Sequence, residues 1–81
     1  MDTRIAVLSI IVEDREKTAE LNQIIHEFSQ YVIGRMGIPY REKEINIISL
    51  VLDAPQNAIS TLSGKIGRLE GVTSRATYAK V

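Results

Sequence analysis

Cysteine is absent from the sequence, which excludes disulfides, thiolate metal ligands and a thiol nucleophile and suits a reducing cytoplasm. An excess of either charge is lacking too. Ten Lys and Arg stand against ten Asp and Glu, so no overall field draws the chain to nucleic acid or to anionic lipid. The single histidine, His26, has no second ligand four residues on and no cysteine nearby; it reads as a histidine at the solvent edge of a helix, and no metal site is expected. No apolar run is long enough for a membrane span: the amino-terminal one, Ile5 to Val12, is short and carries Ser9 in its middle. The expectation is a soluble cytoplasmic protein without a cofactor.

What the chain does have is aliphatic strands. Its 81 residues make one domain, 1–81, with a core so thin that association would help it, since a chain of this size buries only about 60 to 65% of its unfolded surface. The stretch Glu44 to Asp53 is β-branched and aliphatic, bracketed by charges and too short for a typical helix. As a strand it puts Asn46, Ile48, Leu50 and Leu52 on one face and Ile45, Ile47, Ser49 and Val51 on the other. Both faces are largely apolar, so both need a cover. Arg4 to Glu13 repeats the pattern, with Ala6, Leu8, Ile10 and Val12 opposed to Ile5, Val7, Ser9 and Ile11.

Between these strands Asp14 is an N-cap candidate, and Leu21, Ile24, Ile25 and Phe28 form one helical stripe. Tyr31 to Tyr40 reads as a strand, and Gly34, Gly37 and Pro39 confine it to a sheet edge. Arg41 to Lys43 is a charged hairpin turn. After Asp53, Ala54-Pro55 opens a second helix with Pro55 as its first residue and with the stripe Ile59, Leu62, Ile66 and Leu69. Gly64 and Gly67 within it are attributed to close packing on the sheet, Gly71 ends the helix in the left-handed region, and Val72 to Lys80 is the last strand.

The order is βαββαβ, and a shift of 40 residues superposes Ile5 on Ile45, Ser9 on Ser49 and Arg35 on Arg75. Two such βαβ halves predict an α+β, ferredoxin-like sandwich: an antiparallel sheet in order 4-1-3-2 with two helices on one face. The helix side takes Leu8, Ile10, Val12, Ile48, Leu50 and Leu52. The other side takes Ile5, Val7, Ile11, Ile45, Ile47 and Val51, a contiguous apolar set expected to be buried between subunits.

Candidate binding residues follow from the same parity. Ser9, Ser49, Arg35 and Arg75 are expected to cross the open face as Arg-Ser-Ser-Arg, where two guanidinium groups flanking hydroxyls suit a carboxylate or phosphate, or else supply polar relief at a subunit interface. Asp14 and Arg15 could meet an anion or effector at the end of strand one, although capping alone explains Asp14. Gly64-Lys65 is not a phosphate loop, because Ile59 and Ile66 stand where glycine and Ser or Thr are required.

Val12-Glu13-Asp14-Arg15-Glu16-Lys17, the Gly-x-Pro-x-Arg-Glu of Gly37 to Glu42, and Leu62-Ser63-Gly64-Lys65-Ile66-Gly67 followed by Gly71-Val72 resemble the iron-only hydrogenase system regulator family over nearly the whole chain. The resemblance implies a fold similar to ACT domains and to the regulatory half of nickel-responsive repressors. It also implies an effector-sensing or assembly module more than an enzyme, and homo-oligomers; a dimer or tetramer with a small-molecule or anionic effector is expected. It does not extend to an amino-acid site, since Glu16 stands where ACT domains commonly place glycine, nor to nickel sensing, for which His26 alone is insufficient. Two other functions use the same topology. RNA binding requires stacking aromatics on strands one and three, where Ile and Val stand, and an acylphosphatase-like enzyme requires a glycine-rich anion loop where Glu13-Asp14-Arg15-Glu16 is acidic. Direct nucleic-acid binding and catalysis are therefore not expected, the chain also lacking a paired nucleophile and base.

Overall fold

The computed structural model of the chain describes residues 2–80. Strand β1 (Arg4–Val12), helix α1 (Thr18–Glu27), strand β2 (Val32–Tyr40), strand β3 (Ile45–Ala54), helix α2 (Gln56–Gly67) and strand β4 (Val72–Tyr78) follow in the order expected. The strands form one antiparallel sheet, β2-β3-β1-β4, which is the predicted ferredoxin-like arrangement. Among the described residues no helix is long and apolar enough to cross a membrane.

Periodicity decides which sheet face meets the helices. Ala6, Leu8, Ile10 and Val12 of β1 and Ile48, Leu50, Leu52 and Ala54 of β3 share one parity, and all are buried against Leu21 and Ile25 of α1 and Ile59, Leu62 and Ile66 of α2. This is the helix-side set read from the sequence, extended by the two alanines and Val72. Long unbroken pairing of β1 with β3, from Arg4 opposite Ala54 to Val12 opposite Asn46, holds the two apolar strands in register.

Four local features differ from the sequence reading. Asp14 does accept a hydrogen bond from the Glu16 N–H (3.0 Å), but it caps a single 3-10 turn, Arg15–Lys17, and α1 begins only after it. Pro55 lies outside α2 as its N-cap: its ψ of 148° is extended, and Ala54 before it still pairs with Arg4 in the sheet. Gly64 and Gly67 are exposed, and a Cβ at either would meet nothing within 4 Å, so close packing on the sheet does not explain them. Gly71 is left-handed, with φ 78°, but lies beyond the end of α2. Its carbonyl instead accepts from the Glu13 and Asp14 N–H groups at 2.7 and 3.2 Å, pinning the entry to β4 against the exit from β1.

A bulge in the edge strand matters most for the open face. Val32 stands opposite Leu52, but Gly34, not Ile33, stands opposite Val51. One extra residue is taken up at Ile33, and every later side chain of β2 is displaced to the other face relative to an unbroken ladder.

Candidate functional site

Among the described residues nothing covers the sheet face away from the helices. Reading its rows across β4, β1, β3 and β2, Thr73, Ile11, Ile47 and Ile38 form one; Arg75, Ser9, Ser49 and Met36 the next; Thr77, Val7, Val51 and Gly34 the third. Ile5 with Asp53 flanks these rows at one end and Ile45 with Tyr40 at the other. Met36 is 71% exposed, Ile38 61%, Ile47 40% and Ile11 39%, while Ile5, Val7, Ile45 and Val51 are half-buried by their neighbours. All six aliphatic residues expected on this face are there.

Arg35 is the exception among the candidates. The bulge sets it opposite Leu50, on the helix side, where its Nη2 donates to the Asn22 Oδ1 of α1 at 2.7 Å. The expected Arg-Ser-Ser-Arg row is therefore corrected to Met36-Ser49-Ser9-Arg75: Ser9, Ser49 and Arg75 are brought together and Arg35 is not. A thioether replaces the second guanidinium, so this row no longer suits a bidentate anion.

A second concavity lies where β1 ends and the β2–β3 hairpin turns. A groove of about 130 Å3 is lined by Arg15, Pro39, Tyr40, Arg41, Glu44, Ile45 and Asn46. The hairpin presents Arg41 through one 3-10 turn, Arg41–Lys43, closed by Glu44 in the left-handed region at φ 56°. Arg15 is presented by the turn that Asp14 caps. The ion pairs among the described residues, Lys17–Glu20 and Lys65–Glu27, involve neither arginine. Glu13, Asp14 and Glu16 line an adjoining open cleft that Arg15 and Glu44 share. Two unpaired guanidinium groups at the lip of a groove can hold a carboxylate or phosphate; the carboxylates alongside limit how much negative charge is welcome.

The sequence reading reached Arg15 and Asp14 but missed Tyr40, Arg41 and Asn46. The signal was present in the Gly37-to-Glu42 motif, whose Arg41 the hairpin turn carries to Arg15. His26 is exposed in the last turn of α1. Gly64 and Lys65 lie inside α2, with the Lys65 Nζ 3.4 Å from Glu27 Oε1 and 5.6 Å from the centre of the Phe28 ring.

Comparison with known proteins adds to this geometry. A family model described as "TM1266-like: Iron-only hydrogenase system regulator, putative" matches residues 4–76. Among solved structures the chain is similar to the uncharacterized protein TM1266 from Thermotoga maritima, at 40% sequence identity and a TM-score of 0.92, covering 98% of this chain and 100% of that one. No curated protein matches the chain.

Proposed function

The chain belongs to the TM1266-like iron-only hydrogenase system regulator family, and from that premise we propose that it is a non-enzymatic, cytoplasmic regulatory module that works as a homo-oligomer and senses a small anionic effector. The observation that carries this reading is the uncovered apolar sheet face. Monomeric soluble proteins rarely leave a contiguous apolar surface of more than a few hundred Å2 to water. Covering what remains exposed of its seven aliphatic chains and of Met36 returns on the order of 1 kcal/mol for each, and the eight together reach the lower estimates, about 4 kcal/mol and up, for the cost of associating two chains.

The row at the centre of that face favours assembly over catalysis. Ser9 and Ser49 have each other, Arg75 and Met36 as cross-strand neighbours, and no general base stands among them to activate a hydroxyl. The effector part of the proposal rests on the Arg15–Arg41 groove, which Tyr40 and Ile45 also line. Both of these residues belong to the open face, so an anion held there would sit beside the surface through which subunits meet.

Sedimentation equilibrium on the wild type and on Ile47→Glu tests the reading. The wild type is expected to be a dimer or tetramer. The variant, with a carboxylate forced into the middle of the covered face, is expected to be a folded monomer. A monomeric wild type would overturn the homo-oligomer. Titration with inorganic phosphate, followed by the amide resonances of Arg15 and Arg41, tests the effector: unmoved resonances at millimolar phosphate would remove that part alone.

A further inference from the structure

The open face is not uniform across its width. Met36, Ile38 and Tyr40 stand on its β2 side, whereas β4 contributes Thr73, Arg75 and Thr77. Among the described residues, four of the six large apolar side chains that are exposed, Ile33, Met36, Ile38 and Tyr40, come from β2 alone. We infer that two copies of this chain stack open face against open face as a two-fold dimer, with the apolar contact built on β1, β3 and β2 and with the β4 residues left at a hydrated rim. The inference rests on the homo-oligomer reading above and states which part of the face is covered and by what.

Three features make a second copy the fitting occupant. The first is the hydroxyl pair at the centre. Ser9 and Ser49 are directly opposite each other on neighbouring strands, and each hydroxyl is both donor and acceptor, so a two-fold axis near them lets the pair meet its own image with every hydrogen bond satisfied. A surface that offers only donors or only acceptors could not pair with itself in this way.

The second is charge. From Ile45 to Val51 on β3, from Val7 to Ile11 on β1, and from Gly34 to Tyr40 on β2, no open-face residue is charged. Identical faces therefore meet there without like-charge repulsion. The charged side chains of the face stand outside that patch, Arg75 at the β4 edge and Asp53 opposite Ile5 at one end of β3, where an interface is normally polar and wet.

The third is area. The three strands of the apolar contact, at a spacing of about 4.8 Å and a length of about nine residues, present roughly 14 by 30 Å, about 850 Å2 over two faces, and the β4 rim brings the total to on the order of 1,100 Å2. That is near the lower bound for a specific, stable interface, and it matches a sheet-on-sheet stack with the two sets of strands nearly aligned. An interface of marginal size gives one misplaced charge a large effect.

The test is sedimentation equilibrium on the wild type, Met36→Glu, Ile38→Glu and Thr77→Glu, with circular dichroism to confirm that each remains folded. All three positions are exposed, on the edge strands and away from the helix-side core. Met36→Glu and Ile38→Glu are expected to raise the dissociation constant at least 100-fold, and Thr77→Glu to change it less than threefold. Should Thr77→Glu weaken assembly as much as Met36→Glu, or should both β2 variants assemble like the wild type, the footprint is wrong although the homo-oligomer stands. Hydrogen exchange on the assembled wild type separates the remaining arrangement: strong protection of the outward-pointing β2 amides would mean edge-to-edge pairing and would overturn the stacked dimer. A wild type that stays monomeric overturns this inference and the homo-oligomer together.

Discussion

Replacing Gly71 by alanine should cost this protein more than its exposed position suggests. At φ 78° an L-residue suffers the left-handed penalty of about 1 to 2 kcal/mol. The new Cβ would also stand 2.7 Å from the Asp14 Cβ and 3.3 Å from its backbone nitrogen. Neither atom is the free end of a flexible chain. Relief therefore requires the β1 exit and the β4 entry to separate, at the expense of the bonds that the Gly71 carbonyl accepts from the Glu13 and Asp14 N–H groups. Losing one such bond adds about 0.5 to 1.5 kcal/mol, and the stiffer unfolded chain of alanine returns about 0.4 to 1. The net expectation is a loss of about 0.5 to 3 kcal/mol, centred near 2. For 81 residues the total stability is on the order of 4 to 12 kcal/mol, so the effect is large enough to measure. Urea unfolding at equilibrium should show a lower midpoint with an unchanged slope. Gly71→Asn divides the two causes, because asparagine tolerates the left-handed region but carries the same Cβ. A loss below about 0.5 kcal/mol for alanine, or an asparagine variant as stable as the wild type, would refute the contact with Asp14 as the dominant cause.

Gly64→Ala should act in the opposite direction, raising stability by about 0.5 to 1 kcal/mol in thermal unfolding, because the position is an exposed helix interior with open space at the Cβ. Asp14→Ala should lose about 0.5 to 2 kcal/mol by freeing the Glu16 N–H; unchanged stability combined with failed association or ligand binding would show that Asp14 is there for a partner. Leu50→Ala, at a fully buried position on the helix side of β3, should lose about 2 to 5 kcal/mol in urea titration, and a loss under about 1 would mean that the core can collapse around the cavity.

The parts of the fold legible in the sequence are those where one periodicity dominates. Leu8, Ile10, Leu50 and Leu52 announce their face because the strand period of two is unbroken along β1 and β3, and the structure buries all four. Leu21, Ile25, Ile59, Leu62 and Ile66 do the same at the helical period. The errors fall where two causes compete at one residue. Proline is favoured at the first helical position, but the pairing of Ala54 with Arg4 carries the extended chain up to Pro55, whose ψ stays extended, and leaves it as the cap. Glycine within a helix signals either close packing or mere tolerance, and at Gly64 and Gly67 nothing lies close enough for the first.

The candidate site shows the same limit in a sharper form. Ser9 and Ser49 are legible because they lie on the two regular central strands, and the internal repeat that superposes them is realised as direct cross-strand pairing. Extending that repeat to Arg35 and Arg75 fails because β4 is regular and β2 is not. A bulge changes parity by one, and parity is the whole content of an argument about which face a strand residue occupies. The bulge sits at Ile33, immediately before Gly34, on an edge strand with a free side on which extra backbone can be accommodated. Without it, Arg35 would stand opposite Ser49 and place a cation near the middle of the open face. With it, Arg35 is tied to Asn22 on the helix side, and Met36 and Ile38 are turned outward. One inserted residue thus exchanges a charged row, suited to an anion, for an apolar one, suited to a second copy of the chain, and the groove at the hairpin corner is where two guanidinium groups, Arg15 and Arg41, still share a lining.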